Sequence, residues 1–141
     1  MIDIVNGEII MCQSKFSITS SLKPSELEGN IASHILSQYR TDTNYIYSNI
    51  GCDINVGEYV YTCICFFEEK LQYIKFFPQH KSHVLSTLKT TNMDLDSARD
   101  LAFSWFENNF PKQTVFPWGA VRFCPGSDSI YGTPNILLQY V

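Results

Sequence analysis

The apolar positions of this chain change period several times, and each change marks an element. Ile2, Ile4 and Val5 precede Asn6 and Gly7, and Ile9 and Ile10 follow. An Asn-Gly pair between apolar runs tolerates the positive φ of a type I′ turn, so the chain is expected to open with a β-hairpin. Residues 16–22 read as a further extended piece, ended by Lys23 and Pro24. Leu27, Ile31, Ile35 and Tyr39, with Ala32 and Leu36 alongside, then recur at helical spacing. Ser25 and Glu28 have capping-box spacing, which predicts a helix over residues 25–39 with a weak point at Gly29 and Asn30.

From residue 45 to residue 77 the text turns aromatic and β-branched. Residues 45–52, 58–67 and 71–77, separated by turn-prone stretches, predict an antiparallel meander. In its middle strand Val60, Ile64 and Phe66 point one way, and Tyr59, Tyr61, Cys63 and Phe67 the other. Neither side is plainly polar, so both faces are covered or one is an interface.

Residues 78–93, which include Pro78, His80 and His83, show no clear period and predict a loop or a short helix. Asp94 or Asp96 then caps a helix whose stripe is Leu95, Ala98, Leu101, Ala102, Trp105 and Phe106, with Pro111 ending it after Phe110. Two extended pieces in the tail, residues 118–124 and 135–140, predict a closing hairpin with a long loop through Pro125, Gly126, Ser127 and Asp128. With no internal repeat and no linker, residues 1–141 read as a single α+β domain. Its expected core is a central antiparallel sheet of about five to seven strands packed against one or two helices.

Composition supports a packed globule, since 45% of residues are hydrophobic and 17% charged. The net charge of −4 gives no ground for a nucleic-acid surface, which needs clustered Lys and Arg. In residues 1–60, Asp3, Glu8, Glu26, Glu28, Asp42, Asp53 and Glu58 face only Lys15, Lys23 and Arg40. This electronegative part would attract a basic partner. No apolar run reaches the roughly 18 residues of a membrane span, and the N-terminus lacks the charged and apolar regions of a secretory signal, so a cytoplasmic location is expected.

Little in the chain is arranged for catalysis. Five cysteines without CxxC spacing fit reduced thiols, with Cys63 and Cys65 as packing residues on one strand face. His80 and His83 are three apart, but no third ligand stands at a telling distance, so a polar loop is preferred to a metal site. His34 reads as a half-exposed helix residue. Glu68, Glu69 and Lys70 form a charged hairpin tip, and Asp94, Asp96 and Asp100 complement a helix dipole. No glycine-rich phosphate cradle occurs. Trp118 after Pro117 suits a core position better than an interface anchor. No cofactor, metal or catalytic residue is expected.

The order of elements, together with residues 1–7, the phenylalanine-rich residues 61–67, Leu71 to Ile74, the helix bearing Ala98, Phe103 and Trp105, Pro117-Trp118-Gly119 and the ending Ile136 to Tyr140, resembles a group of small bacterial immunity proteins. These are encoded beside polymorphic toxins, including those of contact-dependent growth inhibition. The loop after Trp118 departs from the group: Cys124, Pro125, Gly126 and Ser127 stand where relatives tend to carry Tyr-Asp and then Ser-Gly. The resemblance implies a protein that neutralises a cognate toxin C-terminal domain, often a nuclease, by occluding or distorting its active site, and a monomer or weak dimer with no nucleic-acid or membrane partner is expected. Contact residues expected from charge and aromaticity are Glu26, Glu28, Asp42, Asp53, Glu58, Asp128 and Tyr131. The competing expectations are a small hydrolase or transferase with a Cys or His at a loop, and an effector-specific chaperone or adaptor.

Overall fold

The computed structural model describes residues 2–3, 6–11, 16–31, 35–55, 58–78, 95–110, 112–126 and 133–141. In chain order the elements are β1 (Ile2–Asp3), β2 (Glu8–Met11), β3 (Phe16–Ile18), α1 (Pro24–Ile31), β4 (Ile35–Arg40), β5 (Tyr45–Asn55), β6 (Glu58–Phe67), β7 (Lys70–Pro78), α2 (Leu95–Asn109), β8 (Val115–Phe116), β9 (Gly119–Cys124) and β10 (Asn135–Tyr140). They build a small sheet, β1-β2-β3, and a seven-stranded sheet in the order β4-β5-β6-β7-β10-β9-β8. Every pairing is antiparallel. The fold is α+β, as expected. Among the described residues no helix is long and apolar enough to cross a membrane.

The meander and the closing hairpin form where the pattern places them. Strand β10 does not remain beside β9 alone: it inserts between β9 and β7, so the C-terminal strand joins the hairpin to the meander. Alternation then sorts one face of the large sheet into the core. Ile46 and Ile50, Val60, Ile64 and Phe66, Ile74 and Phe76, and Ile136 and Leu138 are all buried on it. The registers Ile46↔Phe66, Ile64↔Ile74, Phe76↔Ile136 and Leu138↔Val121 carry this layer across the strands. Each large aliphatic or aromatic side chain removed from water here contributes about 1.5–3 kcal/mol.

Helix α2 covers this layer from one side, through Ala102 and Trp105, with the Trp105 ring 5.4 Å from Phe76. Phe103 and Phe106 reach Phe123 of β9 at 5.3 and 6.1 Å. Asn109 Nδ2 donates to the Trp105 carbonyl at 2.8 Å, satisfying an acceptor of the last helical turn. Arg99 ties the helix to the chain beyond β9 by donating to the carbonyls of Pro125 and Gly126 at 2.7 and 3.1 Å. The rest of the cover on the same layer includes Ile9 and Ile18 of the small sheet with Leu22 and Leu27.

Two expectations are corrected. The helix predicted over residues 25–39 is two elements, α1 and the edge strand β4. Gly29 and Asn30 are poor helix formers, and a helix of eight residues has little stability of its own. Beyond it, Ile35 and Tyr39 gain cross-strand partners in Ile50 and Tyr47. The cap lies two residues earlier than the Ser25 and Glu28 pair: the backbone N–H of Lys23 donates to Glu26 Oε2 at 2.8 Å, with Pro24 at the first helical position, where its missing N–H costs nothing. The opening hairpin pairs Ile2 with Ile9 and Asp3 with Glu8, and residues 4–5 of its turn lie outside the described residues. Gly7 does adopt a positive φ of 67°.

The expected loop or helix at 78–93 falls outside the described residues beyond Pro78, and so do His34, His80, His83, Asp94 and Pro111. Strand β8 was not foreseen; it pairs Val115 with Ala120 and Phe116 with Gly119.

Candidate functional site

Among the described residues α2 and the small sheet pack on one face of the seven-stranded sheet, and it is on the second face that side chains such as Tyr39 remain accessible. The same alternation that buries Ile46, Ser48 and Ile50 turns Tyr45, Tyr47 and Asn49 outward, and the register sets Tyr39, Tyr47, Cys65 and Tyr73 in one row across β4, β5, β6 and β7. Ser37, Asn49, Cys63 and Lys75 form the next row, which continues through Leu137 to Arg122.

The rings on this face pack against one another. Tyr39 stacks on Tyr47 at 5.0 Å with planes 20° apart, Tyr47 lies 6.1 Å from Tyr45, and Tyr45 lies 4.7 Å from Phe67. Cross-strand aromatic pairs of this kind add about 0.5–1.5 kcal/mol beyond the area they bury. They also fix the orientation of the hydroxyls. Tyr39, on the edge strand, is 53% exposed, and Tyr45, Tyr47, Phe67 and Tyr73 are half-buried. Asn49 Nδ2 donates to Ser37 Oγ at 2.8 Å, and Arg122 donates to Gln139 Oε1 at 2.8 Å.

Cys65, buried, is the register partner of both Tyr47 and Tyr73, and its thiol donates to the Phe66 carbonyl at 3.9 Å. Burial raises the Cys65 thiol, and the two tyrosine hydroxyls and Lys75 pull it back down. Its neighbour Cys63 is pushed up to about 11 by burial and by Cys65. A thiol in that range carries its proton at neutral pH, whereas nucleophilic cysteines need a lowered value. Burial also raises Tyr39, Tyr47 and Tyr73, so their hydroxyls stay protonated and available as donors.

The charges of this face are all of one sign among the described side chains. Lys75 Nζ stands 5.3 Å over the Tyr73 ring, a cation–π contact. Arg122 is exposed on β9, and Lys70 is the register partner of Phe67. The described carboxylates lie elsewhere. Asp42 is in the β4–β5 turn, Glu68 and Glu69 are in the adjoining β6–β7 turn, and Asp96, Asp100 and Glu107 are exposed on α2.

The contact residues expected from charge are not brought together. Glu26 caps α1 from an exposed position, and Asp42 sits at one end of the large sheet. Asp53 and Glu58 flank the β5–β6 connection at the opposite end; for these two and for Glu28 the backbone alone is described. Asp128 and Tyr131 lie outside the described residues. Charge counting missed the aromatic face because its residues are scattered along the chain. The usable signal was the alternation of Tyr45 and Tyr47, of Tyr61, Cys63, Cys65 and Phe67, and of Tyr73 and Phe77, positions that a strand turns to the side opposite the aliphatic ones.

Trp118 belongs to the framework. It is half-buried, stacks on Phe116 at 5.3 Å with planes 7° apart, and lies 5.2 Å from Tyr140. Among the described residues no group of three His, Cys, Asp or Glu is placed to hold a metal ion. Compared with known protein families, curated proteins and solved structures, the chain matches none of them.

Proposed function

We propose that this chain is a protein-recognition domain of the immunity type, which binds and neutralises a cognate toxin C-terminal domain in the cytoplasm. Its docking surface in this reading is the open face of the seven-stranded sheet. The supporting observation is the packed group Tyr39, Tyr45, Tyr47 and Phe67, left accessible on the side of the sheet opposite α2. Tyrosine concentrates binding energy at protein contacts because it offers a large rigid surface and a polar tip at small entropic cost. Rings already locked against each other lose still less freedom on docking. The toxin as partner rests on the resemblance of the sequence to immunity proteins. A thiol at Cys63 that holds its proton to about 11 does not favour the competing reading of a cysteine hydrolase.

The test is co-expression with the C-terminal domain encoded by the adjoining upstream reading frame. The chain is expected to restore growth and to co-purify with that domain. The double variant Tyr39→Ala and Tyr47→Ala is expected to lose protection while keeping its circular dichroism spectrum. Undiminished protection by a folded double variant removes the open face as the docking surface, and failure of the unaltered chain to protect or co-purify removes the toxin reading.

A further inference from the structure

We infer that the open face of the large sheet receives an acidic protein surface, so that the partner's contact patch is negative although this chain as a whole is negative too. The inference rests on the protein-binding reading above and adds the sign of the partner. Net charge governs attraction at long range, but screening confines it to about 8–10 Å in physiological salt, and at contact the local charges decide. Locally, among the described side chains, the sign is reversed: Lys70, Lys75 and Arg122 share the face, and the described carboxylates sit on β2, the first turn of α1, the turns of the large sheet and the exposed side of α2. This is the charge complementarity a carboxylate-bearing partner requires.

The neutral groups of the face point the same way. Tyr47 and Tyr73 keep hydroxyl protons to donate, and Asn49 and Arg122 add N–H donors. Lys75 is half-buried against the Tyr73 ring and is therefore partly desolvated before any partner arrives, which strengthens its attraction for a carboxylate.

Two other occupants fit less well. Single-stranded nucleic acid binds such sheets by stacking bases on ring faces. Here the face of Tyr47 is taken by Tyr39, and Tyr45 lies alongside it with planes 20° apart. A second copy docked about a two-fold axis would set this positive patch against itself.

The test measures association with the upstream-encoded toxin domain at about 50 mM and about 300 mM salt, where the screening length differs by a factor of roughly 2.4. The variant Lys75→Glu with Arg122→Glu is expected to slow association about tenfold at the lower salt. The variant Asp42→Lys, Glu68→Lys and Glu69→Lys is expected to leave it unchanged or to quicken it. The reverse result overturns the inference and keeps the protein-binding reading, whereas absence of any complex with the unaltered chain overturns that reading itself. A partner-free arm titrates the labelled chain with poly-L-glutamate, poly-L-lysine and single-stranded oligo-dT. Amide shifts at Tyr73, Lys75 and Arg122 with poly-L-glutamate support the inference. Shifts there with poly-L-lysine, or tighter binding of oligo-dT, overturn it.

Discussion

The hydroxyl of Tyr140 donates to the backbone carbonyl of Gly7 at 3.2 Å, joining the two ends of the chain across a buried contact. Gly7 lies so close to Trp118 that a Cβ there would come within 2.6 Å of Cδ2 and Cγ of the indole. The Val141 N–H in turn donates to the Trp118 carbonyl at 3.1 Å. The opening hairpin, Pro117-Trp118-Gly119 and the closing strand thus meet in one corner. Their residue types serve the architecture, because a flat ring, a residue without Cβ and a tyrosine hydroxyl are what this corner requires.

Removing the hydroxyl with Tyr140→Phe leaves the Gly7 carbonyl without that donor and is expected to cost about 1–3 kcal/mol. Gly7→Ala is expected to cost more, since it adds the clash with Trp118 to about 1–2 kcal/mol for a side chain at a φ of 67°. Urea unfolding followed by tryptophan fluorescence measures both. Equal stability of Gly7→Ala and the unaltered chain would show that the two ends are not packed together.

The turn between β6 and β7 runs against its residue types. Glu68 and Glu69 adopt φ of 49° and 67° between the paired Phe67 and Lys70, so a two-residue turn with both φ positive is built from residues that disfavour it. The Glu68 N–H donates to the Asn44 carbonyl at 3.1 Å, and Asn44 itself has a φ of 66°. Replacing Glu68 with Asn and Glu69 with Gly is expected to stabilise the chain by about 1–2 kcal/mol, as the left-handed penalty is relieved. A lower urea midpoint for the double variant would show that the glutamates are held there by contacts the turn geometry does not reveal.

These cases mark where sequence reading succeeds and where it stops. The meander was legible because residues 45–77 are rich in aromatic and β-branched residues broken by turn-prone stretches, and Val60, Ile64 and Phe66, expected on one side, share the buried face. Helix α2 was legible because Ala102 and Trp105 fall on one stripe. Strand β4 was not, because Leu27, Ile31, Ile35 and Tyr39 satisfy a helical period equally well. What decides between the two is pairing with β5, a tertiary gain that no local pattern carries. The open face was not legible for a related reason. Acidic residues were chosen as charges, yet Glu26 serves a helix cap, and the open face assembles from six strands whose order only the fold reveals.

The thiol at Cys63 predicts an alkaline limb of stability. Its value rises from the ordinary 9.0 to about 11, so between those limits the unfolded chain releases a proton that the folded chain keeps. The stabilisation is therefore complete below about pH 9 and is lost as pH climbs towards 11. Cys63→Ala removes that term, so its stability is expected to fall less steeply over this range than that of the unaltered chain, although Tyr73 and Tyr140, also raised by burial, still contribute at higher pH. Urea midpoints taken at intervals from pH 8 to pH 11 measure the slopes. Parallel slopes for the two proteins would mean that Cys63 is solvated.

One buried group works against the fold, and its replacement tests the packing of the core layer directly. Thr62 is 0% exposed, its cross-strand neighbours on the core face are Ile50 and Phe76, and its Oγ1 finds no hydrogen-bond partner among the described residues. A buried hydroxyl without a partner costs about 1–3 kcal/mol in lost hydration. Valine keeps the branched shape that suits a strand and puts a methyl group where the hydroxyl was. Thr62→Val is therefore expected to stabilise the chain by about 1 kcal/mol, whereas Thr62→Ala opens a cavity that offsets the gain. Thermal unfolding of both variants separates the two effects: a rise for valine alone marks a packed, dry site, and a fall for both means that the hydroxyl is held by a group the core must keep.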